Sequence, residues 1–347
     1  MKAFIVLILC ISVPATQLRS QGCVAIRNVA GISPDLFFDN LKPGERCILN
    51  ITNRYFEASK SFRGTRSFSD TLVTNRIYTL NLSVSAILDN GWMLSLGIPM
   101  SANSRNNGAD HKGPLSYPKY TTSAFGLGDI RFTIYKWLLP FSPNQKGNIQ
   151  AGLGIKFATG DYRYQDYFVR NDSTKILAPV DQAIQLGDGG TGIIAELNGF
   201  YSLGGKIKLF AQGYYLINPR EQNGVSNLKG RNPTPQQVSN NTTVMSVPDQ
   251  FSFRAGTTIF IQKFVFGAAF RYETVPVNDL VGGNKGFRRA ASILSAEPGV
   301  SYKMKTAMAF VYMGIPFKRN IIQNSQNDMT PAAFADWIIS FGVQFRL

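Results

Sequence analysis

Apolar and polar residues alternate with period two along much of this chain, and the clearest stretch runs from Asn75 to Met100. Between Ile77 and Leu88, Tyr78, Leu80, Leu82, Val84, Ala86 and Leu88 fall on one face, and Thr79, Asn81, Ser83 and Ser85 on the other. That is a strand with one oily face. Asp89-Asn90-Gly91 follows, a turn signal whose Asn-Gly pair tolerates positive φ, and then Trp92, Leu94, Leu96 and Ile98 alternate with Met93, Ser95 and Gly97. The pattern predicts a hairpin whose strands, about ten residues or more each, suit crossing a hydrocarbon layer at a tilt. Their second faces carry small and polar residues, not core formers.

The unit recurs. A first strand of weaker alternation covers Ile48 to Glu57, with Leu49, Ile51 and Tyr55 sharing a face with Asn53. Strand four is expected over Phe125 to Leu138, five over Asn148 to Thr159, six over Thr191 to Ser202 and seven over Lys206 to Ile217. Strand eight covers Gln250 to Ile261, nine starts at Phe264, ten covers Ile293 to Tyr302 and eleven Thr306 to Ile315. Strand twelve places Trp337, Ile339, Phe341, Val343, Phe345 and Leu347 opposite Asp336, Ser340, Gln344 and Arg346. Five connections, near 90, 143, 204, 262 and 304, are short; six, including 58–73, 101–123, 160–190, 218–249 and 316–335, read as polar loops. Short and long alternate strictly, the signature of an antiparallel transmembrane β-barrel of about twelve strands, with short periplasmic turns and long extracellular loops. A soluble sandwich would need a filled core, which the polar faces argue against.

The N-terminus supplies the route to such a membrane. Lys2 precedes an apolar run from Ala3 to Val13, closed by Ser20-Gln21-Gly22, which reads as a secretory signal peptide over residues 1–21, too short to span as a helix. Residues 22–47 read as a periplasmic extension or small plug, and 48–347 as the barrel. Losing Lys2 and Arg19 takes the formal charge from +15 to +13. Nucleic acid is no partner for an exported chain, and one His with three Cys speaks against a metal cluster; no cofactor is implied. Cationic loops facing anionic lipopolysaccharide account for the charge more simply. Cys23 and Cys47 remain after export; an oxidising compartment favours a disulfide between them, while acylation of Cys23 is the rival reading.

One block carries a family resemblance. Phe125-Gly126-Leu127-Gly128-Asp129, then Gly154-Ile155-Lys156-Phe157-Ala158-Thr159-Gly160-Asp161, then Gly189-Gly190-Thr191-Gly192 together resemble the outer-membrane family labelled after the meta-pathway of phenol degradation. The similarity covers roughly residues 75–220, and Ala158 stands where that family usually has Pro. The resemblance implies a barrel acting as a channel for small, often aromatic, solutes.

The register assigns the candidate lumen-lining residues. Arg54, Arg131, Lys156, Lys208, Arg254, Arg271, Lys303 and Arg346 face Asp129, Glu196, Glu273, Glu297 and Asp336 across the interior. Eight cations against five anions favour small anionic or polar solutes, since fixed charges in a low-dielectric tube select by sign; joined to the aromatic solutes that the resemblance implies, this gives a passive channel for small polar, anionic or aromatic solutes, while the same residues could equally form ion-pair ladders bracing a nearly closed lumen. A non-conducting binding or assembly barrel is the alternative, with Lys60, Arg63, Arg66, Arg220, Lys229, Arg231, Arg288 and Arg289 meeting lipopolysaccharide phosphates. A barrel lipid hydrolase needs a nucleophile beside a histidine, and the single His111 sits in a loop without a recognisable Ser partner. The terminal strand resembles the signal by which the outer-membrane assembly machinery recognises barrels, which places the chain in the bacterial outer membrane.

Overall fold

A computed structural model describes residues 21–22, 46–68, 73–107, 120–140, 145–169, 174–322 and 332–347. The wall consists of β1 (Cys47–Ala58), β2 (Val73–Ile87), β3 (Trp92–Asn107), β4 (Arg131–Trp137), β5 (Gly147–Lys156), β6 (Gly192–Gly204), β7 (Ile207–Ile217), β8 (Gln250–Ile261), β9 (Phe264–Val275), β10 (Ala291–Lys303), β11 (Ala307–Ile321) and β12 (Trp337–Arg346). Each pairs antiparallel with its neighbours, and β1 pairs with β12 from Ile48↔Arg346 to Glu57↔Trp337. The sheet is therefore a closed twelve-stranded antiparallel barrel.

Side chains sort by the alternation that predicted them. Leu153, Leu197 and Phe270 are 65%, 57% and 64% exposed on the outside, while their sequence neighbours Gly154, Asn198 and Arg271 are buried inside. Outward aromatics form two belts. Tyr55 with Trp337, Tyr215 with Phe251, and Phe251 with Tyr272 lie toward the long loops at ring separations of 5.5, 6.0 and 6.2 Å, and Phe264 packs on Tyr302 at 5.1 Å near the short turns. Along β9, Tyr272 and Phe264 are eight residues apart, about 26 Å of strand, which at a barrel tilt becomes roughly 20 Å of height, close to an apolar membrane band. At the turn between β2 and β3, Asn90 and Gly91 adopt φ of 58° and 75°, as an Asn-Gly pair allows.

Four sequence expectations change. β3 continues through Ser101 to Asn107, where a loop was expected, with Asn103 and Arg105 turned inward and buried; above the apolar band both faces of a strand are polar, so alternation of hydrophobicity vanishes while the ladder continues. β11 likewise runs on from Pro316 to Ile321. Strand four is not continuous: Thr121–Leu127 pairs with the upper half of β3 and β4 with its lower half, separated at Gly128–Ile130. The connections at the long-loop end carry structure of their own. A sheet joins Gln21–Gly22, Ala332–Phe334, Lys60–Arg63 and Arg66–Phe68, hairpins form from Gln165–Val169 with Lys175–Pro179 and from Gln222–Ser226 with Val244–Ser246, and a one-turn helix Pro235–Ser239 is capped reciprocally by Thr234 and Gln237.

Of the segments read as signal peptide and N-terminal extension, Gln21–Gly22 pair with Ala332–Ala333 at the long-loop end, and Arg46 and Cys47 bond the Leu347 carbonyl at the turn end. Cys23 lies outside the described residues, so its pairing with Cys47 does too.

Candidate solute path and its central cavity

The three glycine motifs converge on one knot beside the break in strand four. The Thr159 hydroxyl donates to the Gly128 carbonyl at 2.8 Å and accepts from the Ile130 amide at 2.9 Å. The Asp129 carboxylate accepts from the amides of Gly160 (3.0 Å) and Asp188 (3.2 Å). Lys156 lies 3.7 Å from Asp129 and bonds both oxygens of Asp188. Close backbone approach explains the glycines: a Cβ on Gly187 would stand 2.5 Å from an Asp129 oxygen and 2.7 Å from the Gly160 carbonyl oxygen. The knot ties the wall to the segment after β5, and that segment turns inward.

The expectation of a polar extracellular loop over 160–190 is corrected here. Its last part folds into the barrel: Val180, Ala183, Ile184 and Leu186 are buried against Phe56, Ile77, Ala124 and Ile338 on the inner wall. These apolar side chains, more than about 1.5 kcal/mol each for the larger ones, find an apolar patch inside the barrel, so the inner face is not uniformly small and polar. Asn103 fixes the turn by donating to the Ile184 carbonyl at 3.1 Å. Above it, Asp181 accepts from Lys229 (3.3 Å) and Arg289 (3.0 Å). Burial alone would raise the Asp181 carboxyl, but Arg289, Arg105 and Lys229 hold it well below the usual carboxylate range.

Below the knot the interior is a girdle of paired charges. Arg254 donates to Glu297 at 2.7 Å and to Gln212 at 3.1 Å, and Arg271 to Glu273 at 2.7 Å. The Tyr135 hydroxyl donates to Glu196 at 2.9 Å. Arg131 lies over the Tyr214 ring at 5.7 Å and Arg54 over Phe56 at 5.4 Å. Toward the turns, Lys208 and Lys303 stand over the Phe260 ring at 5.1 and 4.4 Å, beside an inward cluster of Val265, Met308, Phe310 and Tyr312. Between girdle and knot lies a small cavity with Arg54, Arg131, Lys156, Asp129 and Asp188 in its walls and Phe56, Ile77, Leu186 and Leu216 beside them.

Of the residues expected to line the lumen, Arg54, Asp129, Lys156, Arg254, Arg271, Glu273 and Glu297 are buried inside, and Arg131, Glu196 and Lys208 are half-buried there. Arg54, Arg131, Lys156 and Asp129 meet at the cavity, whereas Arg254, Arg271, Glu273 and Glu297 pair lower in the girdle. Arg346 stays at the rim, with a long contact to the Lys305 carbonyl at 3.4 Å, and Asp336 binds the Ser59 amide and hydroxyl at 3.0 and 2.6 Å. Sequence reasoning missed Asp188, Asn103 and Arg105. It also put Lys229, Arg288 and Arg289 among lipid-facing cations, but all three are buried: Asp181, from the segment after β5, draws in Lys229 and Arg289, and Asp279 draws in Arg288 at 2.7 Å. His111 lies outside the described residues. Among the described residues no three His, Cys, Asp or Glu side chains group as a metal site requires.

No protein-family model and no curated protein sequence matches the chain. Solved structures do. The COG4313 outer membrane channel from Pseudomonas putida F1 aligns with a TM-score of 0.60 and 10% identity, over 89% of this chain and 100% of that one. The Ralstonia pickettii toluene transporter TbuX aligns at 0.42 and 12% identity over 95% and 99% of the two chains, and the CymD monoaromatic hydrocarbon channel at 0.43 and 11% over 87% and 89%. At such identities the first likeness establishes the architecture alone: this chain has the fold of an outer-membrane β-barrel.

Proposed function

We propose that the protein sits in the outer membrane of a Gram-negative bacterium and acts as a passive channel for small polar, anionic or aromatic solutes. The observation that carries this reading is a closed barrel whose interior holds a cavity walled by both guanidinium groups and apolar side chains. Cations at both ends, Lys208 and Lys303 below and Arg105, Lys229 and Arg289 above, set a positive potential along the axis, which attracts anions. The glycine motifs that resemble the phenol meta-pathway family point the same way, since here they build the knot at the cavity wall. Among the loop cations assigned to lipopolysaccharide, Lys60, Arg66 and Arg220 are exposed, and the Trp337 to Leu347 strand is the segment for the assembly machinery.

The second reading is a non-conducting binding barrel, favoured by the two apolar clusters and the paired charges that occupy much of the interior. Reconstitution into planar bilayers under a salt gradient separates them. Conductance with a reversal potential on the anion side supports the channel; silence, or cation preference, removes it.

A further inference from the structure

Charge is divided unevenly between the two ends of the barrel. At the short-turn end, Arg46 precedes β1, Lys136 stands on β4, Lys146 precedes β5, and Arg346 closes β12; Lys206, Lys263 and Lys305 lie in the turns β6–β7, β8–β9 and β10–β11. Lys208 and Lys303 add two more just inside. Among the described residues of this end, the opposing groups are Asp89, already 3.3 Å from Arg46, and the Leu347 carboxylate. The carboxylates that tie the long-loop end together, such as Asp181, Asp249, Asp279 and Asp336, have no counterparts here. Lys146, Lys206, Lys263 and Lys305 are exposed, and none of their ammonium groups has a partner among the described residues. Their turns stand side by side: Phe260 donates its amide to the Lys206 carbonyl at 2.8 Å, Lys303 to Lys263 at 2.7 Å and Arg346 to Thr306 at 2.8 Å, and Ser202 bonds the Lys146 carbonyl. Successive cations are therefore one hairpin apart, about 10 Å at two strand widths, in an arc that Debye screening leaves partly coupled.

The depth of the arc says what it meets. Outward apolar residues run up to the cations themselves: Leu203 and Ile207 flank Lys206, Ile261 and Phe264 flank Lys263, and Met304 precedes Lys305, all exposed. The arc thus lies where the apolar band ends and not on a loop projecting beyond it. Lys136 marks the same level from the lipid-facing side of β4, its ammonium 4.9 Å over the Trp92 ring and donating to the Asn90 carbonyl, a stem laid along apolar surface with its head at the interface. Cations at that depth reach headgroup phosphates, whereas a soluble acidic protein would have to press into the headgroup layer to touch them.

We infer that the arc from Lys146 through Lys206, Lys263 and Lys305 to Arg346 binds anionic phospholipid headgroups, phosphatidylglycerol in particular, in the leaflet around the short turns. The inference goes beyond the channel reading and rests only on the barrel spanning a membrane. Native mass spectrometry of the full protein in neutral detergent tests it, with equimolar phosphatidylglycerol and phosphatidylcholine of identical acyl chains. Phosphatidylglycerol should be retained in about fivefold preference, the scale of one lysine at an anionic surface, and raising the ammonium acetate concentration should erode the preference because the arc is exposed. The variant Lys206→Gln/Lys263→Gln/Lys305→Gln should bring the ratio to within about twofold of unity. Arg163→Gln/Lys175→Gln/Lys285→Gln removes the same charge from exposed positions at the long-loop end and should leave the ratio where it was. Equal retention of the two lipids by the unaltered protein overturns the inference and leaves the arc to an acidic soluble partner. A ratio that the turn variant does not move, or that the loop variant moves as far, overturns it as well. Silence in planar bilayers with phosphatidylglycerol still preferred removes the channel and keeps the arc, whereas conductance with equal retention does the reverse.

Discussion

Asp181→Asn tests what holds the inward segment in place. The carboxylate is 1% exposed and gathers Lys229 and Arg289, with Arg105 in its field; all three cations are themselves buried. Removing one partner of a buried ion pair costs about 3–5 kcal/mol, because the charges left behind are neither paired nor hydrated. Against this stand the apolar contacts of Ile184 and Leu186, about 1.5–3 kcal/mol each, which the substitution leaves untouched. The two contributions are similar, so the segment should stay seated on average while opening about 10²- to 10⁴-fold more often, at 1.36 kcal/mol per decade. Hydrogen exchange at the Ile184 amide, which bonds the Asp181 carbonyl at 2.9 Å, should accelerate by that factor, and single-channel records should gain brief larger-conductance events. Because the pairs are buried, raising salt should not reproduce the effect in the unaltered protein. Unchanged Ile184 exchange and unchanged current in Asp181→Asn would refute the argument.

Two further outcomes follow from named contacts. Gly299→Ala should lower the heat-modification midpoint of the barrel by the equivalent of about 1–3 kcal/mol of overpacking, because the new Cβ would lie 2.0 Å from the Tyr312 ring that covers Gly299 across the β10–β11 ladder. Pairing it with Tyr312→Leu should restore part of the loss, and an unshifted single variant contradicts the contact. The pH responses of two loop carboxyls should have opposite sign. Asp181 is depressed by its cations, so its contribution is present above the unfolded value of about 3.9 and is lost only as pH falls through its lower folded value. Asp279 is raised by burial despite Arg288, so its contribution is present below about 3.9 and is lost as pH rises through the folded value. Between pH 7 and 4.5, intrinsic-rate-corrected protection should hold at Ile184 and hold or rise at Leu280; Ile184 losing protection first would reverse the assignment.

Period-two alternation made the outward face readable wherever lipid demands it: Leu80, Leu153 and Phe266 stand out because hydrocarbon accepts nothing polar. The same rule gave the inner positions of Arg54, Arg131 and Lys156 by subtraction. It fell silent where lipid ends. Asn103 and Arg105 sit on a strand whose outer neighbours are also polar, so no contrast marked them. The inward segment was hidden for a different reason: Val180, Ala183, Ile184 and Leu186 lie in irregular backbone, whose burial depends on the inner-wall patch of Phe56, Ile77 and Ile338, residues far away in sequence. The Ala183-Ile184 and Leu186 run inside an otherwise polar stretch was the available signal. Asp188 was overlooked because a carboxylate flanked by Gly187 and Gly189 resembles a turn residue until Lys156 is placed beside it.

The seam between β1 and β12 joins the two wall strands most distant along the chain. Every other ladder can zip from a local hairpin or a single long connection, but this one waits for residues 337–346, and loop closure over so long a span is the slow, entropically costly step. Until then the curved sheet has two bare rims of amide and carbonyl groups, each a template for pairing with the wrong chain. A nascent copy must therefore be sheltered at both rims together, and a lesion in either terminal strand would harm the yield of finished protein more than the durability of a ring already shut.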